Sequence, residues 1–463
     1  VQIYNTLSRR KEDLIPSRDK EVRMYVCGPN LYGPCHVGHA MSYIVFDVLR
    51  RYLEYRGYTV QHVQNFTDIE DRIIETAQAL GISVNELAQR YIDRFFAEMD
   101  ALDVKRAHHH PRATEVIDKM IEIIQGLIVK GHAYVVDGDV YFRVTSDPDY
   151  GKLSGRTLEE MQAGARIEVD PRKEHPMDFA LWKVAKPGEP SWDSPWGQGR
   201  PGWHIECSAM AMKFLGEQID IHGGGQDVLF PHHENEIAQS ESYTGRVPFA
   251  KYWVHNGLLR PSEEEEEKMT RHLANFVSIQ EALERYSPDG IRLFLLSSHY
   301  RSSLTWSEEG VLAAERGGER LRAALRPPYE KDGQASPELA QKVEETRQAF
   351  QETMDDDLNT AQALATLFDL ARAINQARDE GRGGETFFAA QEALKELAGV
   401  LGLKLEAEAK GVAITPFIDL LVSVRDKLRA AKLYPLSDKI REELSELGVI
   451  LEDGPGGTTW RWG

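Results

Sequence analysis

The stretch from Cys207 to Glu236, CSAMAMKFLGEQIDIHGGGQDVLFPHHENE, gathers one of only three cysteines in the chain, a histidine pair at His232 and His233, the two acids Glu234 and Glu236 beside that pair, and a triple glycine. Soft and borderline donors concentrated in this way suit a metal ion such as zinc. The bland alternative is a buried cysteine followed by a surface helix start. A second constellation, Cys35-His36-Val37-Gly38-His39, puts two histidines three apart where a helix begins, so both can face one side. A helix N-terminus favours phosphate, and glycine at Gly38 would let a flat base approach the backbone. Taken alone, this HxGH pattern is equally compatible with a helix start that binds nothing.

These groups need a scaffold. Residues 22–27 (VRMYVC) read as a short buried strand, and GPNLYGP forces a loop after it. Apolar residues then recur at Ile44, Val45, Val48, Leu49, Tyr52 and Leu53, a helical stripe ended by Gly57 as a left-handed cap. TVQHVQNF reads as the next strand. Strand, glycine loop, helix and strand predict the opening of a parallel, Rossmann-like sheet with its ligand at the strand C-terminal ends. Helical patterning follows from Ile69 to Gly131, then an irregular Gly-, Pro- and Trp-rich region up to Trp203, and QIDIH (218–222) resumes the sheet.

The expected fold class is therefore α/β: a Rossmann-like parallel-sheet catalytic domain with an insertion, an all-α helical bundle and a small α+β C-terminal module. The expected boundaries are 1–255, with the insertion at about 115–200; 256–310; 311–403, the bundle; and 404–463, the terminal module.

The chain has 463 residues, 41% hydrophobic and 28% charged, enough for several cores. No apolar run approaches a membrane span and VQIYNTLSRRKEDL lacks the uninterrupted apolar region of a secretory signal, so no membrane is expected and the cytoplasm is the default expectation. Three cysteines cannot build a paired disulfide framework. The net charge of −19 argues against indiscriminate adhesion to nucleic acid while leaving room for a locally basic RNA-binding surface.

Several blocks together resemble the cysteinyl-tRNA synthetases within the class I aminoacyl-tRNA synthetases: MYVCGPNLYGPCHVGHA, NFTDIEDRI, RPGWHIECSAM, DIHGGGQDVLFPHHENEIAQSE, MDDDLNTAQALATLFDLARAIN and LGVILEDGPGGTTWRWG. They run in the family's order over nearly the whole chain, and the resemblance makes 256–310 a phosphate-loop and tRNA stem-contact region and 404–463 an anticodon-binding module. The resemblance implies a ligase that activates L-cysteine with ATP and transfers it to tRNA(Cys), as a monomer, with Zn2+ held by Cys27, Cys207, His232 and Glu236 and Mg2+ accompanying ATP. It implies phosphate contacts from His36 and His39, an ATP site lined by Gly28, Gly38, Gly224, Gly225, Asp227 and Val228, and substrate contacts from Thr67 and Trp203. A zinc-bound thiolate would separate cysteine from serine without hydrolytic editing.

The family's mobile KMSKS loop stands here as Lys268-Met269-Thr270-Arg271-His272, preceded by five glutamates at 263–267. The resemblance carries ATP contacts onto Lys268, Met269 and Arg271, with Lys268 and Arg271 in catalytic roles. Arginine in the second cationic position keeps the charge and changes the geometry. The acidic run would oppose triphosphate unless it points into solvent. His108, His109 and His110 read as a solvated loop rather than a second metal site. In the terminal module, Arg425, Lys427, Arg429 and Lys432 with Trp460 and Trp462 suit stacking on unpaired bases, and the resemblance makes these the tRNA contacts.

Two other functions compete. One is a paralogue joining cysteine to an amino-sugar, which would lack the C-terminal module. The other is a catalytically weak, tRNA-binding relative, motivated by the altered loop.

Overall fold

The computed structural model describes residues 1–463 except 165–169, 262–275, 330–333, 407–413, 455–456 and 463. A short antiparallel hairpin, β1 (Gln2–Asn5) and β2 (Arg10–Asp13), precedes the first core unit, β3 (Glu21–Val26), α1 (Val37–Tyr55) and β4 (Thr59–Gln64). β3 and β4 pair in parallel, with α1 as the crossover, and Gly57 takes φ 82°, the left-handed turn expected of it. α1 buries a full apolar face, including Ile44, Phe46, Val48, Leu49, Tyr52 and Leu53. The helices α2 (Asp71–Leu80), α3 (Val84–Ala101) and α4 (Ile117–Val129) follow.

The Gly- and Trp-rich region is more regular than its sequence suggests. β5 (Ala133–Val136), β6 (Asp139–Phe142), the helix α5 (Leu158–Gly164), β7 (Phe179–Val184) and β8 (Gly199–Pro201) include a four-stranded antiparallel sheet in the order β5-β6-β7-β8. Strands of three to six residues leave too little alternation to recognise. α6 (Trp203–Leu215) then returns the chain to the parallel sheet, which β9 (Ile219–Gly225), α7 (Glu234–Thr244) and β10 (Ala250–Asn256) complete. The strand order is β10-β9-β3-β4, all parallel, so the C-terminal ends of β3, β4 and β9 share one edge.

Beyond β11 (Leu259–Arg260) come α8 (Ile279–Arg285), α9 (Pro288–Leu296) and β12 (Leu304–Thr305). The bundle helices are α10 (Glu308–Ala324), α11 (Pro337–Asp355), α12 (Thr360–Asp379) and α13 (Gly384–Val400). One hydrophobic core runs from α1 through α9 into these helices. Accordingly Val1–Leu405 forms one compact unit and Glu406–Gly463 a second. The second comprises α14 (Ile414–Ala430), α15 (Tyr434–Glu446) and the antiparallel hairpin β13 (Val449–Gly454) and β14 (Gly457–Trp462), around a small core of Ile418, Val422, Leu444, Val449 and Leu451. Among the described residues no helix is long and apolar enough to cross a membrane.

Candidate active site and metal centre

Three elements deliver four side chains to the C-terminal edge of the parallel sheet. Cys27 follows β3, Cys207 projects from α6, and His232 and Glu236 flank the start of α7. The two sulfurs lie 3.9 Å apart, Cys27 Sγ is 3.8 Å from Glu236 Oε1, and that oxygen is 3.0 Å from His232 Nε2. All four donors fall within 4.8 Å of one another. Zinc–sulfur bonds of about 2.3 Å at tetrahedral angles set sulfurs about 3.8 Å apart, so the thiol pair already has the spacing the ion requires. The donor set is also that of zinc: two soft sulfurs, an imidazole and a carboxylate.

A second grouping, Cys27, His222, His233 and Glu236, shares two of those donors, so only one of the two sets can hold an ion at a time. The surroundings distinguish them. Cys27, Cys207 and His232 border a cavity of about 380 Å³, which His222, His233 and Glu236 do not line. His222 and His233 instead brace the first set from behind. His222 Nε2 lies 2.8 Å from Glu236 Oε2, and His233 Nε2 is 3.2 Å from Cys27 Sγ. His233 Nδ1 in turn meets His255 Nε2 at 2.8 Å. His232 is steadied on its open side by Trp203, stacked at 4.3 Å, and by His204, Nδ1 to Nδ1 at 2.9 Å.

The electrostatics match a cation site. Burial raises the Cys207 thiol, but the Cys27 hydrogen bond and His232 outweigh it and bring the group down to about 6. Burial alone favours neutral His232, yet Glu236 and Cys207 push it up to about 10, and His222 and His232 hold Glu236 down at about 2 against burial. Burial and the neighbouring Cys207 drive the Cys27 thiol upward. Buried anionic character is thus balanced by a protonated imidazole, the position a divalent cation takes over on binding.

The same cavity reaches the N-terminus of α1. His36 is its N-cap: the Gly38 N–H donates to His36 Nδ1 (3.1 Å) and the His36 N–H donates to His39 Nδ1 (3.2 Å), with the rings 3.9 Å apart. Both rings line the cavity together with Gly28, Gly38, Gly225, Asp227 and Val228. The glycines are required by packing. A Cβ at Gly28 would lie 1.7 Å from the Asn65 carbonyl, and one at Gly38 would lie 2.9 Å from the His36 ring. Close approach at Gly38 is therefore made by its own histidine neighbour. Gly224 sits behind the wall, where a Cβ would meet His233 and Val228 at 2.9 Å. Thr67 and Trp203 both line the cavity, and the Thr67 hydroxyl accepts from Asn65 Nδ2 at 3.4 Å.

Lys268, Met269, Arg271 and the five glutamates at 263–267 lie outside the described residues. His108 and His109 are exposed in a loop that runs beside β4, as expected, while His108 Nδ1 accepts from the His62 N–H (3.0 Å) and the His110 ring packs against Phe66 and Phe96. Sequence reasoning named His233 only as half of a histidine pair and gave no role to His204, His222, His255 or Asn65. For the histidines the one available signal was their accumulation between 204 and 255.

In the C-terminal unit one expectation is corrected. Arg425 is fully buried, and its guanidinium donates to Asp453 Oδ1 (2.9 Å) and Oδ2 (3.0 Å) and to Thr458 (2.9 Å), so it braces α14 against the hairpin and offers no surface cation. Arg429 and Arg441 close on the same carboxylate. Lys427 and Lys432 are exposed, and Lys427 borders a shallow groove with Trp460, whose Nε1 donates to Asp419 at 2.7 Å. Trp462 stands opposite Val449 in the hairpin.

Residues 14–316 match the family model described as tRNA synthetases class I (C) catalytic domain, and residues 349–406 match the DALR domain. The chain is 56% identical over 463 residues to a cysteine–tRNA ligase of Dehalococcoides mccartyi, covering 100% of this chain and 99% of the relative. It is 50% identical over 469 residues to one from Carboxydothermus hydrogenoformans, covering both completely. Mycobacterium tuberculosis methionyl-tRNA synthetase in complex with methionyl-adenylate shares the fold with a TM-score of 0.59 at 16% identity, over 87% of this chain and 94% of that one. With a thiol-imidazole-carboxylate cluster opening onto the same cavity as a histidine-capped helix, and with relatives of this identity over its full length, the chain belongs to the cysteinyl-tRNA synthetase family of class I aminoacyl-tRNA synthetases.

Proposed function

We propose that the protein is a cysteine–tRNA ligase: it activates L-cysteine with ATP and esterifies it to the 3′ end of tRNA(Cys). The observation that carries this reading is the cavity itself, lined both by Cys27, Cys207 and His232 and by His36 and His39. Cys27, Cys207, His232 and Glu236 would hold zinc, which when bound supplies an electrophile with high affinity for a thiolate sulfur and little for a serine hydroxyl.

The remaining work falls to the chain. Trp203 and Thr67 border the space between the donors and the glycine loop, where they orient the amino acid so that its carboxylate faces the ATP α-phosphate. That nucleophile is already anionic, so positioning and charge stabilisation dominate over base catalysis. His36 and His39, at the positive end of α1, would meet the phosphates, with Gly28, Gly38, Gly224, Gly225, Asp227 and Val228 shaping the nucleotide site. Lys268, Met269 and Arg271 would close on the triphosphate, accompanied by Mg2+. Lys427, Arg429, Lys432, Trp460 and Trp462 would contact tRNA. A cytoplasmic monomer is the corresponding assembly.

Cysteine-dependent ATP–pyrophosphate exchange tests the reading. Exchange with cysteine and none with serine, abolished by zinc chelation, is the expected result; no exchange from a fully zinc-loaded protein would refute it in favour of a tRNA-binding relative with an inactive loop. Removal of residues after about Ile414 is expected to abolish tRNA charging and spare the exchange, which would also set the protein apart from an amino-sugar ligase.

A further inference from the structure

Arg72, in the first turn of α2, is the one lysine or arginine among the described residues that line the cavity. Its side chain is exposed, so it stands where the cavity meets solvent. The backbone beneath it is fixed. The Leu31 N–H donates to the Thr67 carbonyl (3.1 Å) and the Thr67 N–H to the Pro29 carbonyl (3.3 Å), which joins the loop after β3 to the segment after β4. Asp71 ties the same turn of α2 to the inserted sheet through Lys183 (2.9 Å) and Arg200.

The guanidinium itself is uncommitted. Acids outnumber lysines and arginines 74 to 55 in this chain, yet among the described residues none closes on Arg72 as an ion pair or hydrogen-bond acceptor for its side chain. Asp71 is spent on its two cations. Burial raises the Glu70 carboxyl against the pull of Arg72, and Glu70 Oε1 is buried without a partner. The contact that Arg72 does make is with the Tyr32 ring, 5.6 Å from the centroid. A cation–π contact holds the charge in place and leaves the five N–H donors to a ligand, and their planar fork matches a phosphate.

The reaction proposed above brings three anions to this cavity. The triphosphate falls to His36, His39 and the 268–271 segment, and the cysteine carboxylate faces the α-phosphate. Gly225, Asp227 and Val228, which shape the nucleotide site, lie at or just beyond the end of β9, two strands from β4 in the order β10-β9-β3-β4. Arg72 follows β4, the edge strand, and is exposed. The third anion is the phosphodiester backbone at the tRNA 3′ end, whose terminus enters the cavity while its bulk stays in solvent. An arginine at the cavity mouth suits that ligand, since phosphate contacts set the position of a nucleic acid whatever its sequence.

We infer that Arg72 is a binding residue for the tRNA 3′ end, its guanidinium, steadied by Tyr32, holding a phosphate of the terminal nucleotides as they enter the cavity. The inference rests on the ligase reading above.

Full-length Arg72→Gln and Arg72→Lys proteins test it in the two half-reactions. Cysteine-dependent exchange, which needs no tRNA, is expected to keep its KM for ATP and for cysteine within twofold of wild type in both. In Arg72→Gln, kcat/KM for tRNA in charging is expected to fall about 10- to 100-fold, the range for a lost charge-assisted hydrogen bond. The slope of log tRNA affinity against log salt is expected to fall by about 0.7, one phosphate of a single strand. Arg72→Lys keeps the charge without the fork, so it is expected to retain the wild-type slope and recover part of the charging. A raised KM for ATP in exchange assigns the guanidinium to the triphosphate and overturns the inference. So do charging within twofold of wild type and an unchanged slope in Arg72→Gln, or a lysine variant with the slope of the glutamine one. In each of these cases wild-type exchange leaves the ligase reading standing. A zinc-loaded wild type without exchange refutes that reading and the inference with it.

Discussion

His36, the N-cap of α1, is bridged to Ser278, the N-cap of α8. On either side of the bridge the Val37 N–H donates to the Val277 carbonyl (3.0 Å) and the Ile279 N–H to the Cys35 carbonyl (3.2 Å). The segment that directly follows residues 262–275 is therefore stitched to the histidine turn that lines the cavity. Ser278 also closes a capping box with Glu281. Ser278→Ala is expected to cost about 1 kcal/mol of stability, as loss of a cap does. As the start of α8 frays it is also expected to raise the KM for ATP more than that for cysteine. Melting and steady-state exchange measure the two effects, and an unchanged KM for ATP would uncouple this bridge from the nucleotide site.

Arg292 of α9 and Asp47 of α1 form a fully buried ion pair at 2.7 Å. Arg292 also donates to the carbonyls of Leu102 (2.9 Å) and Leu401 (3.1 Å), so one guanidinium joins α1, the end of α3 and the end of α13. Asp47 is shared with Arg51 at 2.9 Å. Removing one partner strands buried polar groups, so Arg292→Met is expected to destabilise the Val1–Leu405 unit by about 3–5 kcal/mol. Denaturant melts of the metal-loaded protein measure it. A loss below about 1 kcal/mol would mean that Arg51 alone satisfies Asp47.

His62 on β4 and His110 beside it give the Val1–Leu405 unit an acid limit. His62 is buried with neither ring nitrogen hydrogen-bonded, and burial followed by Arg50 holds it well below the usual histidine range. Burial also lowers His110 to about 4. Both are depressed relative to the unfolded chain, so the stability they allow is complete above about pH 6.5 and is lost as pH falls towards 4. His110 alone corresponds to roughly 3 kcal/mol over that window. His110→Gln, which keeps an acceptor for the Ala107 N–H, is expected to flatten the stability profile between pH 6.5 and 4. An unaltered slope would exclude His110 as a source of acid sensitivity.

Local patterns carried the scaffold of the site into the sequence, and distant partners carried the rest out of sight. The β3-α1-β4 unit is legible because its apolar stripe and Gly57 are contiguous in the chain. The β1-β2 hairpin is not, since its second strand RKED presents almost no apolar residue and its first is anchored by Asn5 to Trp253 and Lys251. Cys27 and Cys207 stand 180 residues apart, and only the family resemblance joined them before the fold did. His222 and His233 carry no spacing signal toward Cys27, so their bracing role emerges only from β9 lying beside β3. Arg425 misled for the same reason: a basic residue on an amphipathic helix reads as exposed until Asp453 is found across the hairpin.

Arg425 and Lys427 separate folding from RNA contact within the C-terminal unit. Asp453 is held well below the usual carboxylate range, first by Arg425, and Thr458 shares the same guanidinium. Arg425→Ala is therefore expected to unfold this small unit, abolishing tRNA charging together with amide protection in α14 and the hairpin while sparing cysteine-dependent exchange. Lys427 is solvated beside Trp460 and contributes nothing comparable to the core. Lys427→Ala is expected to keep the unit folded and weaken tRNA binding. If it neutralises one phosphate, the slope of log affinity against log salt should fall by about 0.7–0.9. Hydrogen exchange and salt-dependent binding of the two variants distinguish the roles. A Lys427→Ala protein with wild-type affinity and slope would move the RNA contact away from this groove, whereas a folded Arg425→Ala module would show that Arg429 and Arg441 suffice to hold Asp453.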